Sequence, residues 1–319
     1  MMPESTFALT HEESTGLRGL ATRLSETRPA LVDELSWLAA CRSASCRLPT
    51  RLRERLRTFR HDPGPDGVLL LRNLPGADDV PPTPVESDSV ERAATLSASV
   101  ISAVSMELGE LIAFRNEKSG ALVQNVVPVP GQEAQQSNAG STVLALHTEN
   151  AFHPRRPDYV TLLCVRSDHE STAGLRTASV RRAVEGLDDR TREVLRQPRF
   201  LTDPPPSFGQ PEGAAKPHPI LTGDPDDPDV RVDFHATRPV DDEAERAARV
   251  LERCLDTVAE SVRLVAGDLA VLDNRVALHG RTAFVPRYDG GDRWLHRTFI
   301  HLNHRRSRVL RAPLGHVLD

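Results

Sequence analysis

Residues 146–152 read LHTENAF, and the fold turns on how this stretch is read. In an extended strand, residues i and i+2 project from the same face. His147 and Glu149 would then bring an imidazole and a carboxylate to one point. These are two of the three protein groups of a two-histidine, one-carboxylate metal site, which leaves coordination positions open for substrate and oxygen. The plain alternative is a half-exposed strand whose polar residues face water, and His-x-Glu by itself is a common accident.

A third ligand has to come from a distant strand, because one strand cannot wrap an octahedral ion. Of the twelve histidines, His279 has the best context. GDLAVLDNRVALHGR, residues 267–281, reads as an apolar strand, a polar turn and a second apolar run that ends on His-Gly. Gly280 would let the backbone pass close to a metal. His153, His169, His218, His296, His301 and His304 lack such a setting and are expected to be surface or structural. Fourteen residues beyond His279 comes Arg293, and four further Arg297, in YDGGDRWLHRTFI. Their even spacing puts both on one strand face with Leu295 and Phe299, while Trp294 and Ile300 point the other way. On an interior face two guanidinium groups need anions, and a carboxylate suits each fork.

The texture around these motifs is mixed. Residues 16 to about 60 carry Leu and Ala at helical spacing, and DGVLLLRNLPG (66–76) reads as a strand. A proline-rich loop (78–88) leads to a predicted long helix, SVERAATLSASVISAVSMELGELIAF (89–114), capped by Asp88 or Ser89. Short β-type runs follow at 120–131, 141–149, 158–168, 216–223 and 229–236, with one helix at about 241–263. The expected fold class is α+β: a double-stranded β-helix, or jelly roll, with helical insertions and an N-terminal helical region. No linker divides the chain, so residues 1–319 are expected to form one domain, with 1–65 a helical elaboration and 66–319 the jelly-roll core.

Composition narrows the function. A net charge of −5 with both signs scattered argues against nucleic acid and membrane surfaces as partners. The first fifteen residues lack a signal-peptide pattern and no run has transmembrane length, so a cytoplasmic location is expected. Cys41, Cys46, Cys164 and Cys254 are expected to be reduced thiols, and their spacing makes no zinc knuckle. A zinc hydrolase would need a general-base glutamate, and there is no His-Glu-x-x-His run to supply one.

Taken in order, HTENAF, GDLAVLDNRVALHGR and PRYDGGDRWLHRTFI resemble the clavaminate synthase-like branch of the iron(II)/2-oxoglutarate-dependent oxygenases, over about residue 65 to the C-terminus. The resemblance implies Fe(II), 2-oxoglutarate and O2 as cofactors, with His147, Glu149 and His279 holding the iron. It implies that Arg293 binds the distal carboxylate of 2-oxoglutarate and that Arg297 binds the α-carboxylate of an amino acid, with Thr177 a candidate second contact to the cosubstrate. GALVQNVVPVPG, SNAGST and ENAFH are similar to members that hydroxylate the β-carbon of free L-asparagine for specialised, nonribosomal-peptide metabolism. That likeness puts Glu117 on the substrate ammonium, and Asn138 and Asp233 on its side-chain amide. Members that act on arginine carry a second acid two residues after the position of Asp233; His235 stands there, which favours a neutral amide. Arginine, lysine, histidine, ornithine and glutamine are the alternative substrates, with hydroxylation, desaturation or cyclisation the alternative outcomes.

Overall fold

A computed structural model describes residues 5–76, 79–205, 208 and 216–319. Residue 78, where the proline-rich loop was expected to begin, and residues 1–4 of the N-terminal segment lie outside these.

Seven helices carry the labels α1 (His11–Glu26), α2 (Leu35–Ser45), α3 (Thr50–His61), α4 (Leu96–Leu108), α5 (Val180–Ala183), α6 (Asp189–Leu195) and α7 (Asp242–Val258). The strands before residue 170 are β1 (Thr6–Ala8), β2 (Val68–Arg72), β3 (Glu110–Phe114), β4 (Gln124–Val126), β5 (Leu144–His147) and β6 (Tyr159–Arg166). Then come β7 (Gly174–Ser179), β8 (Phe200–Thr202), β9 (Leu221–Gly223), β10 (Pro228–Val230) and β11 (Thr237–Pro239). The last are β12 (Glu260–Arg263), β13 (Leu269–Asp273), β14 (Ala277–Arg281), β15 (Trp294–His301) and β16 (Val317–Leu318).

A large sheet runs β1-β2-β13-β6-β15-β3-β16, with β4 also paired to β15, and a smaller one runs β12-β7-β14-β5. Alternation decides how they stack. Leu295 and Phe299 of β15, Leu162 of β6 and Leu272 of β13 share one core cluster with Leu175 of β7, so the inner faces of the two sheets pack together. Ile300, Leu163, Leu69 and Val271 point the other way, into a cluster with Leu17, Trp37, Leu56 and Val104 of α1 to α4. Ala178 and Leu278 on the outer face of the small sheet meet Val180, Val194, Ala247 and Leu251 of α5 to α7. The result is four layers, α–β–β–α, in which both faces of the central strands are buried. Every residue of β15 is therefore buried, Arg297 among them.

Three expectations are corrected. The helix predicted from residue 89 starts at Leu96, capped by the Thr95 hydroxyl, which accepts from the Ala98 amide. The preceding backbone is already engaged: Glu91 N–H donates to Val123 O and Ala94 N–H to Ala30 O, pairings a helix would break. Residues 110–114 form strand β3 instead of the helix's last turn. The helix predicted to about 263 ends at Val258, because Glu260–Arg263 pairs with β7 and extends the small sheet. Gly280 is needed for strand packing, since a β-carbon there would collide with Leu144 O at the β5–β14 irregularity. All four cysteines are free, and no helix among the described residues is long and apolar enough to cross a membrane.

Buried imidazoles make the fold acid-sensitive. Burial lowers His296 from 6.5 to about 3, and His218 and His301 to about 4. Between these values and 6.5 the folded chain binds fewer protons than the unfolded one, so stability falls as pH falls through that window. Glu91, raised by burial to about 7, works in the opposite direction, whereas His153 and His304, also lowered by burial to about 4, reinforce the three imidazoles. The urea midpoint is expected to drop between pH 7 and pH 5; a midpoint that rises would contradict this assignment.

Candidate active site

Local structure brings His147 and Glu149 together, though not in the expected way. Strand β5 ends at His147, and Glu149 lies in the turn beyond it, followed by Asn150 at φ 51°. What fixes Glu149 is Asn274, in the β13–β14 turn. Its side chain accepts from Glu149 N–H at 2.8 Å and donates to Glu149 O at 3.1 Å and Pro157 O at 2.9 Å. Thr148 N–H donates to Val232 O, which anchors the same turn from the other side.

His279 faces His147 in register across β14 and β5, with ring centroids 4.4 Å apart. One donor atom from each of His147, Glu149 and His279 lies within 4.8 Å of the others. The tautomer of His147 suits ligation, because its Nδ1 faces Ala145 O at 3.0 Å and can donate there, leaving Nε2 as the lone-pair donor. His279 Nε2 lies 3.4 Å from Glu149 Oε2, and its Nδ1 is buried without a hydrogen-bond partner. Burial, helped by His147, lowers the His279 pKa. Burial opposes ionisation of Glu149, but Arg297 and the two imidazoles outweigh it and hold the carboxyl below its usual range. Two neutral imidazoles and a carboxylate form an N2O donor set that fits a divalent first-row metal with open positions.

Two cavities are lined by residues of the triad. One, of about 870 Å³, is lined by His147, Glu149, Glu117, Asn138, Asp233 and Arg297 among others. The second, of about 30 Å³, is lined by His147, Glu149, His279, Arg281, Arg293 and Arg297. Arg293 thus lines only the small cavity and Glu117 and Asp233 only the large one, while Asn138 and Arg297 line both. Arg293 is buried, and burial lowers its pKa, with the nearby Cys164 and Asp168 opposing weakly.

Arg297 is the hub. Its Nη1 donates to both Glu149 oxygens at 3.1 Å, its Nη2 to Glu117 Oε1 and its Nε to Gln124 Oε1 at 3.1 Å. Nη1 also reaches Asn138 Oδ1 at 3.3 Å. Burial would lower its pKa, but Glu149 and Glu117 more than offset that and keep it cationic. Glu117 is pushed up by burial, with the Glu149 charge adding to the effect, and its second oxygen accepts from Asn150 at 3.1 Å. Asp233 spends Oδ1 on the amides of His235 and Ala236 in its own turn. Thr177 sits opposite His279 on β7, on the same sheet face, but lines neither cavity. The sequence reading missed Gln124, Asn274 and Arg281. Gln124 follows an apolar run and Asn274 sits in the polar DNR turn, positions whose tertiary partners lie more than a hundred residues away.

The chain is similar to known proteins over most of its length. The chain is 48% identical to an L-asparagine oxygenase of Streptomyces coelicolor over 99% of this chain and 96% of that protein. It is 35% identical to clavaminate synthase 2 of Streptomyces clavuligerus, over 89% of this chain and 88% of that one. The crystal structure of asparagine oxygenase with Fe(II), 2S,3S-3-hydroxyasparagine and succinate superimposes with a TM-score of 0.95, at 48% identity and over 99% of each chain. Residues 66–299 match the model of the taurine catabolism dioxygenase TauD, TfdA family, which with these likenesses establishes that the chain belongs to that family of dioxygenases.

Proposed function

We propose that this protein is an Fe(II)- and 2-oxoglutarate-dependent dioxygenase that hydroxylates the β-carbon of free L-asparagine. The observation that carries the reading is a two-histidine, one-carboxylate triad that lines a small cavity together with Arg293, while its His147 and Glu149 also line a larger cavity with Glu117, Asn138, Asp233 and Arg297. His147, Glu149 and His279 would hold the iron, which together with 2-oxoglutarate and O2 supplies the power to replace a C–H hydrogen by hydroxyl while the cosubstrate becomes succinate and CO2.

The chain's own residues do the positioning. Arg293, which forms no ion pair with a carboxylate among the described residues, suits the distal carboxylate of the cosubstrate, and Thr177 lies on the sheet face from which a hydroxyl could reach a cosubstrate carboxylate. Arg297 offers its fork to the α-carboxylate, and Glu117 meets the α-ammonium, whose charge offsets the strain of two neighbouring buried carboxylates. At the far end, Asp233 keeps Oδ2 as an acceptor and Asn138 turns its oxygen to Arg297, which leaves its amide nitrogen as a donor. An acceptor and a donor side by side complement a carboxamide. Three fixed points leave the β-carbon toward the triad.

The same reading takes the two facing sheets as a jelly roll, the whole chain as one domain, and the compartment as the cytoplasm, where 2-oxoglutarate is made. A second reading rests on cavity size: about 870 Å³ leaves room for lysine or arginine. The single acid at Asp233, with His235 two residues on, weighs against a guanidinium. Standard amino acids incubated with the protein, Fe(II), 2-oxoglutarate and O2 should give substrate-dependent succinate, with asparagine leading and its product heavier by one oxygen. Arginine or lysine leading would overturn the substrate assignment, a product lighter by two hydrogens the hydroxylase assignment, and no succinate with any amino acid the enzymatic one.

A further inference from the structure

Arg281 lies two residues beyond His279 on β14 and lines the small cavity with Arg293. It is 3% exposed, yet no carboxylate among the described residues pairs with it. Its Nη1 donates to Ser137 O at 3.4 Å and its Nη2 to Thr142 O at 3.1 Å, while its Nε has no partner. Phe284 lies against both cations, 5.6 Å from the Arg281 guanidinium carbon and 5.9 Å from that of Arg293. Two like charges therefore share one apolar wall.

The carbonyls that Arg281 holds belong to the segment 133–143, which carries Asn138. That segment is closed on itself: Ser141 and Thr142 N–H donate to Glu133 O, and the Gln136 amide donates to Val143 O at 2.7 Å and accepts from Ala145 N–H at 2.9 Å. Its ties to the rest of the molecule come repeatedly from residues 281–288. Besides Arg281, Phe284 N–H donates to Ser141 O at 3.0 Å and Tyr288 Oη to Glu133 Oε1 at 2.6 Å. Asp292 accepts from the amides of Arg287 and Tyr288, which binds that stretch to Arg293 itself. The chain that leads to Arg293 is thus also the support from which the loop bearing Asn138 hangs.

We propose that Arg281 is a positioning residue that couples the cosubstrate pocket to the amino-acid loop. With Arg293 it sets the positive charge of the cosubstrate pocket, and with its fork it fixes Ser137 and Thr142 and so places Asn138. A dicarboxylate against Arg293 relieves the repulsion between the two cations, steadies Arg281, and thereby orders the loop for the amino acid. By linkage the amino acid tightens the dicarboxylate by the same factor. This inference rests on the assignment of 2-oxoglutarate to Arg293.

Calorimetric titration of the whole protein without oxygen, with Mn(II) in place of iron, measures 2-oxoglutarate affinity with and without L-asparagine. In the wild type, asparagine should tighten 2-oxoglutarate by at least about fivefold. Arg281→Lys keeps the charge but cannot span two carbonyls. It should bind 2-oxoglutarate like the wild type, bind asparagine about tenfold more weakly, the worth of one charge-assisted hydrogen bond, and lose the coupling. Arg281→Gln should weaken 2-oxoglutarate as well. The proposal is overturned if the wild type shows no coupling, if Arg281→Lys retains wild-type asparagine affinity and coupling, or if Arg281→Gln leaves 2-oxoglutarate affinity unchanged. Failure of the wild type to bind 2-oxoglutarate, or indifference to Arg293→Gln, would instead remove the functional reading on which it stands.

Discussion

His279→Ala is expected to abolish metal retention and turnover while leaving the fold intact. Loss of even an outer partner of a metal ligand typically costs roughly 10- to 100-fold in affinity, so loss of one of three ligands should exceed that range. The fold should survive because the substitution breaks no hydrogen bond to the rest of the core: His279 Nδ1 has no partner, and Nε2 faces only Glu149, which keeps Arg297. Equilibrium dialysis against Mn(II) or Fe(II) gives the affinity, and thermal unfolding provides an independent readout. Added metal should raise the melting temperature of the wild type by mass action and leave that of the variant unmoved. Wild-type metal affinity in His279→Ala would remove the basis for the whole site.

Arg297→Met is expected to act on catalysis and on stability, and metal should separate the two. The sequence alone suggests loss of amino-acid turnover with cofactor binding spared. The structure adds that Arg297 is the cation between two buried carboxylates, Glu149 and Glu117. Removing one partner of a buried, hydrogen-bonded charge pair typically costs about 3–5 kcal/mol, because the other charge is left uncompensated. A divalent ion at the triad would take over the neutralisation of Glu149. The variant should therefore be several kcal/mol less stable in EDTA and markedly less so with Mn(II) present. In turnover, losing the proposed α-carboxylate anchor should lower kcat/KM for asparagine by roughly 10²- to 10³-fold, within the 2–5 kcal/mol range of such truncations. Metal affinity should not fall, since Glu149 loses a competing cation. Urea melts with equal destabilisation in both conditions would count against a shared role for Arg297 and the metal.

Much of this was legible in the residues. An imidazole two positions from a carboxylate, a late His-Gly and an arginine pair spaced by four named the triad, Arg293 and Arg297. Helix and strand periods located α1 to α3, β2, β6 and β13 to β15. Such features are local: ligand chemistry resides in residue type, and the face a strand residue takes follows from counting by two.

What only the tertiary structure decided was which distant group each of these meets. Glu149 joins His147 through a turn held by Asn274, not through the strand pleat that the spacing suggested. Helix α4 begins seven residues late because the amides of residues 91 and 94 find partners at Val123 and Ala30, and β12 exists because β7 offers it an edge. The choice of Gly280 depends on how closely β5 approaches, and the meaning of Gln124 and Arg281 on which carbonyls and forks the packing brings alongside. In each case, hydrogen-bonding groups are common to nearly every residue, so their pairing is settled by the layered packing of apolar faces, which no short window of sequence contains.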